Sequence, residues 1–285
     1  MITVGIGASA GGLEAIKELL ENIPEQSGMA FVIVQHLAES QASLLTEILS
    51  RYTKIPVQKV ESGLRIEPNH VYVIPPGVTM VVSDGVLDLK PRGTVRKPID
   101  EFFESLAVEK KSKAIGIILS GTGTDGTEGL RVIKAEGGIT FAQDPKTAQY
   151  PDMPQSAIYS ESVHFVLPPK QIATELVRVS KHPELIRQKI TEEPAIEGAN
   201  ALQKIFSMLH SSFKVDFTHY KKTTVLRRIT RRIVLTKVDT IEEYGRYLRS
   251  HPQELRALFD DLLIGVTEFF REPTPLLFWR KQFFH

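Results

Sequence analysis

The chain has 285 residues, of which 42% are hydrophobic and 24% charged, and its formal net charge is +1. This length predicts two domains with their own cores, the composition excludes wholesale disorder, and the charge gives no general attraction to polyanions. No apolar run reaches about 18 residues, no signal-type segment opens the chain, and without cysteine neither disulfides nor zinc–thiolate sites can form. We therefore expect a cytoplasmic protein without membrane insertion.

Up to about residue 180, apolar β-branched segments alternate with amphipathic helical segments. The first strand is predicted at residues 2–6 and the second at residues 31–34, with a helix after Ser9 between them. This alternation predicts a doubly wound, mostly parallel α/β sheet with helices on both faces. The remaining strands are predicted at residues 57–59, 71–74, 79–82, 86–90, 114–119, 139–142 and 164–167, and the remaining helices at 44–52, 99–109, 126–136, 154–160 and 169–180.

A tight turn separates two of the middle strands. Ser83, Asp84 and Gly85 lie between the strands predicted at 79–82 and 86–90, and such residues are typical of hairpin turns. The sequence thus predicts an antiparallel pair that gives the main sheet a mixed edge.

The pattern changes after residue 181. Residues 182–201 are polar and contain prolines and glutamates, which predicts a linker between a first domain at 1–181 and a small all-α domain at 202–273, followed by a short tail at 274–285. Three apolar stripes at helical spacing support the all-α prediction. They consist of Leu202, Ile205, Phe206 and Leu209; of Val225, Leu226, Ile229 and Ile233; and of Leu255, Leu258, Phe259, Leu262 and Leu263.

The segment GIGASAGG at residues 5–12 fits two functional templates. As G-x-G-x-x-x-G it resembles a dinucleotide loop, in which backbone N–H groups hold a pyrophosphate. As G-x-S-x-G it resembles a nucleophile elbow, in which glycines allow a sharp turn that exposes Ser9. Ser9 can also simply cap the first helix. On this motif alone the three interpretations stay open.

The residues that follow two further strands favour the interpretation of Ser9 as a nucleophile. The second strand leads into Gln35 and His36 without the carboxylate that a dinucleotide site needs, and histidine can accept a serine proton near neutral pH. Asp125 lies in the turn SGTGTDG at 120–126, where it either caps the following helix or orients an imidazole. Because carboxyl ends of parallel strands meet at one edge, we expect Ser9, His36 and Asp125 to come together as nucleophile, base and orienting acid.

Six segments of the first domain occur in a characteristic order: GASAGG at 7–12, VQHL at 34–37, VYVIPPG at 71–77, PID at 98–100 with Phe103, LSGTGTDG at 119–126, and AQDP at 142–145 with MP at 153–154. With them the domain resembles the catalytic domain of the chemotaxis protein-glutamate methylesterase family, CheB. The resemblance implies the doubly wound fold and a serine esterase, without metal or cofactor, that uses Ser9, His36 and Asp125. It also implies a substrate, the glutamate γ-methyl esters on the cytoplasmic helices of a chemoreceptor, with glutamine deamidation as a related activity.

Developing negative charge on the ester oxygen needs backbone donors. From their positions in the two turns, the N–H groups of Ala10 and Thr122 are the predicted donors. The family often has threonine where Ala10 stands and methionine where Thr122 stands. Backbone donors survive such changes, so the rate of the reaction is affected rather than its type.

A basic segment marks the all-α domain. Arg227, Arg228, Arg231 and Arg232 are spaced to share one stripe of a helix, which is typical of a solvated face, a nucleic-acid site or a surface for an acidic protein. Nucleic acid is disfavoured, because the rest of the chain offers no broad basic field or stacking platform.

Residues 203–273 contain, in order, Phe217, YK at 220–221, LRRI at 226–229, Tyr244, Leu248, Glu254 and LLIGVTEFFR at 262–271. With this set the segment resembles the N-terminal helical domain of the chemotaxis receptor methyltransferase family, CheR. This implies that the basic helix contacts the acidic methylation helices of the receptor, and that Thr267 and Arg271 match positions of an S-adenosylmethionine site. In that family the domain that holds this cofactor would follow residue 273. We therefore expect the site to be incomplete in this chain and methyl transfer not to occur.

The predicted function is that of a receptor-glutamate methylesterase joined to part of a methyltransferase. Two alternatives remain at this point. One is a non-catalytic module that binds signalling helices, and the other is a pyridine-nucleotide oxidoreductase that uses the glycine-rich turn. The sequence gives no indication of the oligomeric state.

Overall fold

The structure is a computed structural model that describes residues 1–35, 42–91, 97–182 and 196–263. The chain folds as two compact units, residues 1–186 and residues 187–285. Within the described ranges, no helix combines the length and the apolar character needed to cross a membrane.

Ten strands, six α-helices and a short 3₁₀ helix (Lys111–Lys113) make up the described part of the first unit. The strands are β1 (Thr3–Ala8), β2 (Ala30–Gln35), β3 (Val57–Lys59), β4 (Leu64–Arg65), β5 (His70–Val73), β6 (Val78–Ser83), β7 (Val86–Pro91), β8 (Ala114–Ile118), β9 (Ile139–Gln143) and β10 (Phe165–Leu167). The helices are α1 (Gly12–Glu21), α2 (Ala42–Leu49), α3 (Pro98–Lys110), α4 (Thr127–Ala135), α5 (Asp152–Tyr159) and α6 (Pro169–Ser180).

The main sheet has seven strands in the order β10-β9-β8-β1-β2-β5-β3, and all of its pairings are parallel. Strands β1 and β8 are buried along their whole length, as expected for a parallel sheet covered on both faces. From β1 the chain winds first toward β2 and later toward β8 on the other side. This confirms the predicted doubly wound fold and places the topological switch point between β1 and β8.

The predicted hairpin is confirmed, but the predicted mixed edge is wrong. Strands β6 and β7 pair antiparallel around Asp84 and Gly85, whose φ angles of 51° and 74° suit a tight hairpin turn. They join β4 in a separate three-stranded sheet instead of the main sheet. The reason is packing on α3, because Met80 and Val82 share a core with residues of that helix and the carboxylate of Glu109 accepts both turn N–H groups.

The second unit is helical in its described part. Its helices are α7 (Ile196–Phe213), α8 (Lys222–Thr236), α9 (Ile241–Ser250) and α10 (Pro252–Leu263). The three predicted apolar stripes belong to α7, α8 and α10 and pack in one core with Tyr244 and Leu248 of α9. Helix α7 begins inside the stretch predicted as a linker. Helix α9 is capped by Thr240, whose hydroxyl accepts the Glu243 N–H, and the Glu243 carboxylate accepts the N–H of Asp239, the residue before the cap.

The four arginines of α8 do not form one exposed face. Arg228 and Arg231 are only 3% and 1% exposed, and Arg231 lies 2.8 Å from the Asp261 carboxylate. Arg232 pairs with Glu254, whose carboxylate also accepts a 2.7 Å hydrogen bond from the Tyr244 hydroxyl. Burial, followed by the Glu254 charge, raises the pKa of Tyr244. The spacing correctly places these side chains on neighbouring positions of α8, but much of that side packs against acidic residues of α10.

We predict that Asp261→Asn destabilises the helical unit by about 3 kcal/mol, because it removes the carboxylate charge that lies 2.8 Å from the buried Arg231 guanidinium. Thermal unfolding followed by circular dichroism measures the loss. The matched control is Asp260→Asn, whose partner Arg256 is 62% exposed and whose ion pair should contribute little. Equal melting of the two variants would show that the buried pair is not important.

Candidate active site

Two of the three predicted turns meet at the switch point. Ser9 directly follows β1, and the segment 120–126 begins two residues after the end of β8. The Ser9 N–H donates to the Ser120 carbonyl at 3.0 Å, so the two turns are in direct contact. The third turn carries His36, which lies outside the described residues.

Close approach of the backbones explains the glycine at position 121. A Cβ placed there would lie 2.9 Å from the Ser9 Cβ, 3.1 Å from the Ser9 nitrogen and 2.2 Å from the Met153 sulfur. Gly11, with a φ of 69°, is the N-cap of α1 and provides no side-chain cap. Ser9 does not cap α1, and among the described residues its hydroxyl has no hydrogen-bond partner.

The peptide groups on both sides of this contact have fixed orientations. The Ser9 carbonyl accepts the Gly12 N–H at 3.0 Å and the Gln35 side-chain amide at 3.4 Å, and the Gly121 carbonyl accepts the Met153 N–H at 3.0 Å. In a trans peptide the N–H points opposite to the carbonyl, so these bonds also set the directions of the following N–H groups. Those groups belong to Ala10 and Thr122, and neither has an acceptor among the described residues.

Ser120 is the centre of a network that sequence reasoning missed. Its hydroxyl donates to the Ala10 carbonyl at 2.9 Å and accepts the Tyr150 N–H at 3.0 Å. Its own N–H donates to the side-chain oxygen of Gln143 at 2.9 Å, and the Gly121 N–H donates to the Tyr150 carbonyl at 2.9 Å. The available sequence signal was Gln143, a polar residue at the end of a buried apolar strand.

Asp125 is buried and caps α3, a helix that precedes it in the chain. Its two carboxylate oxygens accept the N–H groups of Ile99 and Asp100, at 3.1 and 3.0 Å, in the first turn of α3. The Asp100 carboxylate in turn accepts the Gly129 N–H at 2.8 Å, in the first turn of α4. The two helices therefore cap each other, and this holds Asp125 in one position.

This reciprocal capping of α3 and α4 brings the carboxylates of Asp100 and Asp125 close together. Burial, and after it the charge of Asp125, raises the pKa of Asp100, while the Gly129 N–H and Lys97 oppose the shift. Because the folded chain holds this proton to higher pH than the unfolded chain does, its stability falls as pH rises above the ordinary aspartate pKa.

We predict that Asp100→Asn removes this loss, so that the unfolding free energy of the variant minus that of the wild type increases between about pH 4 and pH 6. Urea unfolding of the full chain across that range measures it. Asp84→Asn, in an exposed turn that tolerates asparagine, is the control and should leave the pH dependence unchanged. A parallel pH dependence for wild type and Asp100→Asn would contradict the assignment.

Two further predicted site residues belong to the second unit. Thr267 and Arg271 are outside the described residues. In the part of the chain that the structure describes, no group of three or more histidine, aspartate or glutamate side chains is arranged to hold a metal ion.

Two family models match the chain, one in each unit. The family model described as CheB methylesterase matches residues 4–176, and the model described as CheR methyltransferase, all-alpha domain, matches residues 200–263. The crystal structure of the Thermotoga maritima CheB methylesterase catalytic domain superposes with a TM-score of 0.59 at 29% identity, covering 62% of this chain and 98% of that one.

Several relatives are similar over different lengths. A putative protein-glutamate methylesterase/protein-glutamine glutaminase of Leptospira interrogans is 35% identical over 62% of this chain and 94% of its own length. A Carboxydothermus hydrogenoformans protein-glutamate methylesterase/protein-glutamine glutaminase is 35% identical, and this chain covers 54% of it. An uncharacterized 104.1 kDa protein of Rhodobacter capsulatus is 35% identical over 80% of this chain, which spans only 26% of that protein. The chain belongs to the CheB methylesterase family.

Proposed function

We propose that this chain hydrolyses γ-methyl esters of glutamate side chains on chemoreceptors, with Ser9 as nucleophile, His36 as general base and Asp125 as the acid that orients the base. The observation that carries the proposal is the contact between the Ser9 turn and the turn at 120–126, with two backbone N–H groups beside it. Membership of the CheB methylesterase family and the names of the relatives support the choice of ester. Glutamine deamidation by the same residues is part of the proposal.

The reaction proceeds through an acyl-enzyme. Ser9 Oγ attacks the ester carbonyl while His36 takes its proton, and the tetrahedral intermediate then expels methoxide, which leaves as methanol with that proton. Water, deprotonated by His36, attacks the acyl-serine and forms a second tetrahedral intermediate. This intermediate expels the Ser9 oxygen, which takes the proton back from His36, and the glutamate acid that is released ionises to the carboxylate. These steps use no metal and no cofactor.

The oxyanion of each intermediate is held by the N–H groups of Ala10 and Thr122. The hydrogen bonds to the Ser9 and Gly121 carbonyls set the direction of these donors before substrate binds, and such preorganisation costs nothing during the reaction. Because the donors are backbone groups, the alanine and threonine side chains at these positions do not prevent the chemistry.

Sheet register supports the position of the base. Gln35, the last residue of β2, pairs with Ala8, the last residue of β1. Ser9 directly follows Ala8 and, in the sequence, His36 directly follows Gln35, so this register favours a base close to Ser9. Asp125 already accepts two backbone N–H groups, and a carboxylate has enough lone pairs to accept an imidazole N–H as well.

The match to the CheR all-alpha domain supports a receptor as the partner of the second unit. We place the activity in the cytoplasm, where the substrate helices lie. Receptor contact by the arginines of α8 rests mainly on Arg227, since Arg228 and Arg231 are buried. A role of Thr267 and Arg271 in an incomplete S-adenosylmethionine site stays a prediction.

We predict that Ser9→Ala lowers methanol release from methyl-esterified receptor by at least about 10⁴-fold, because the attacking oxygen is lost. The stability should change little, since the Ser9 hydroxyl has no hydrogen-bond partner among the described residues. Ser50→Ala, which removes an exposed hydroxyl from the end of α2, is the matched control and should keep full activity. Retained methanol release by Ser9→Ala would exclude this nucleophile.

We also predict that Gly121→Ala lowers the turnover rate by about 10²-fold, because the new methyl group displaces Ser9. The control is Gly116→Ala in β8, whose Cβ would lie 2.5 Å from Leu130 and 2.7 Å from Ile133, away from Ser9. Both variants should lose about 1–3 kcal/mol of stability through overpacking. Only Gly121→Ala should lose turnover per folded molecule, and an equal loss in both would refute the close-approach argument.

A further inference from the structure

A buried serine holds the turn that carries the proposed nucleophile. Ser120, which is only 1% exposed, donates its hydroxyl proton to the Ala10 carbonyl at 2.9 Å, and its own carbonyl accepts the Ser9 N–H at 3.0 Å. We propose that Ser120 is a positioning residue for ester hydrolysis, because its hydroxyl keeps the peptide between Ala10 and Gly11 in the orientation that catalysis needs. The inference rests on the proposed function, since it assumes that Ser9 is the nucleophile.

The Ser120 hydroxyl has a single proton, and the surrounding groups direct that proton to Ala10. The hydroxyl oxygen accepts the Tyr150 N–H at 3.0 Å, which occupies one of its lone pairs. The Tyr150 carbonyl lies 3.4 Å away and already accepts the Gly121 N–H at 2.9 Å, so it competes weakly for the proton. Among the described residues, the Ala10 carbonyl accepts no other hydrogen bond. The Ser120 hydroxyl is therefore the group that fixes the direction of this carbonyl.

The chain forms a type II β-turn from Ser9 to Gly12. The Gly12 N–H donates to the Ser9 carbonyl at 3.0 Å, and Gly11, the third residue of the turn, has a φ of 69° and a ψ of 0°. Ala10 does not belong to the non-glycine residues with positive φ, which excludes a type I′ turn. A type II turn differs from a type I turn by a flip of its central peptide, which here joins Ala10 to Gly11.

The glycine at position 11 does not itself select between the two turns. Glycine adopts positive and negative φ about equally readily, so both orientations of the central peptide are open to it. Type I is also the commoner turn in proteins. The hydrogen bond from the Ser120 hydroxyl is thus the contact that favours type II, and its loss would allow the peptide to flip.

Such a flip would reverse a peptide dipole beside the nucleophile. The Ala10 carbonyl now points to the buried Ser120, and the Gly11 N–H points the opposite way, without an acceptor among the described residues. After a flip, the carbonyl oxygen would lie on the side where this N–H lies now. Because the oxyanion is proposed to bind N–H groups of this turn and of the turn at 120–126, a partial negative charge on that side would oppose it. The uncharged ester would be affected much less, so the loss should appear in the transition state.

Kinetics with the methyl ester of a short glutamate peptide test the proposal. We expect Ser120→Ala to lower kcat per folded molecule about 30-fold or more and to change KM less than about threefold. Ser120→Thr keeps the hydroxyl and should stay within about threefold of the wild-type kcat. The matched control is Thr140→Val, which removes the buried hydroxyl of β9 that donates to the Ser162 carbonyl at 2.6 Å. This control should leave kcat per folded molecule unchanged.

Crystal structures of the wild type and of Ser120→Ala provide the second measurement. We expect the φ angle of Gly11 to be positive in the wild type and negative in the variant. Wild-type kcat in Ser120→Ala would overturn the proposal, and so would an equal loss of kcat in Ser120→Thr or in Thr140→Val. Loss of kcat in Ser120→Ala with the type II turn intact would also overturn it. Absence of ester hydrolysis in the wild type would instead refute the proposed function, and the two structures would still decide whether the hydroxyl holds the turn.

Discussion

The hydrogen bond from the Ser9 N–H to the Ser120 carbonyl is the contact on which the organisation of the first unit depends. Loops normally diverge at the switch point of a doubly wound sheet and leave a crevice there. Here the bond instead holds the two turns together, and glycine at position 121 lets their backbones approach. The Ser9 hydroxyl and the two N–H groups proposed as oxyanion donors belong to these joined turns.

Much of the fold could be predicted because local pattern and overall topology agree. The predicted bounds of β3 and α6 coincide with those observed, the latter because Pro168 and Pro169 mark the start of the helix. Strand β4 was missed because two residues cannot establish a period. The hairpin turn depends on local residues and was predictable, whereas the sheet that the hairpin joins depends on its packing against α3, which lies further along the chain.

The turns that carry the candidate site residues could be predicted, but the hydrogen bonds that hold these turns in place could not. Ser9 and Asp125 stand at strand ends, where local sequence suggests chemistry, and their roles stay predictions because His36 lies outside the described residues. The Ser120 hydroxyl bonds to a carbonyl 110 residues away, and no local pattern encodes such a contact. In the same way, spacing shows that the arginines of α8 are neighbours, but the acidic residues opposite them are contributed by another helix.

The reciprocal capping of α3 and α4 affects how the aspartate at position 125 is interpreted in sequences of this family. Asp125 holds two backbone N–H groups of α3 whether or not any ester is ever cleaved. A descendant that had abandoned hydrolysis would still be selected to retain this carboxylate for its architecture. An aspartate at this position is therefore a poor marker of a working enzyme, and the serine, whose hydroxyl has no scaffolding bond among the described residues, is the more informative one.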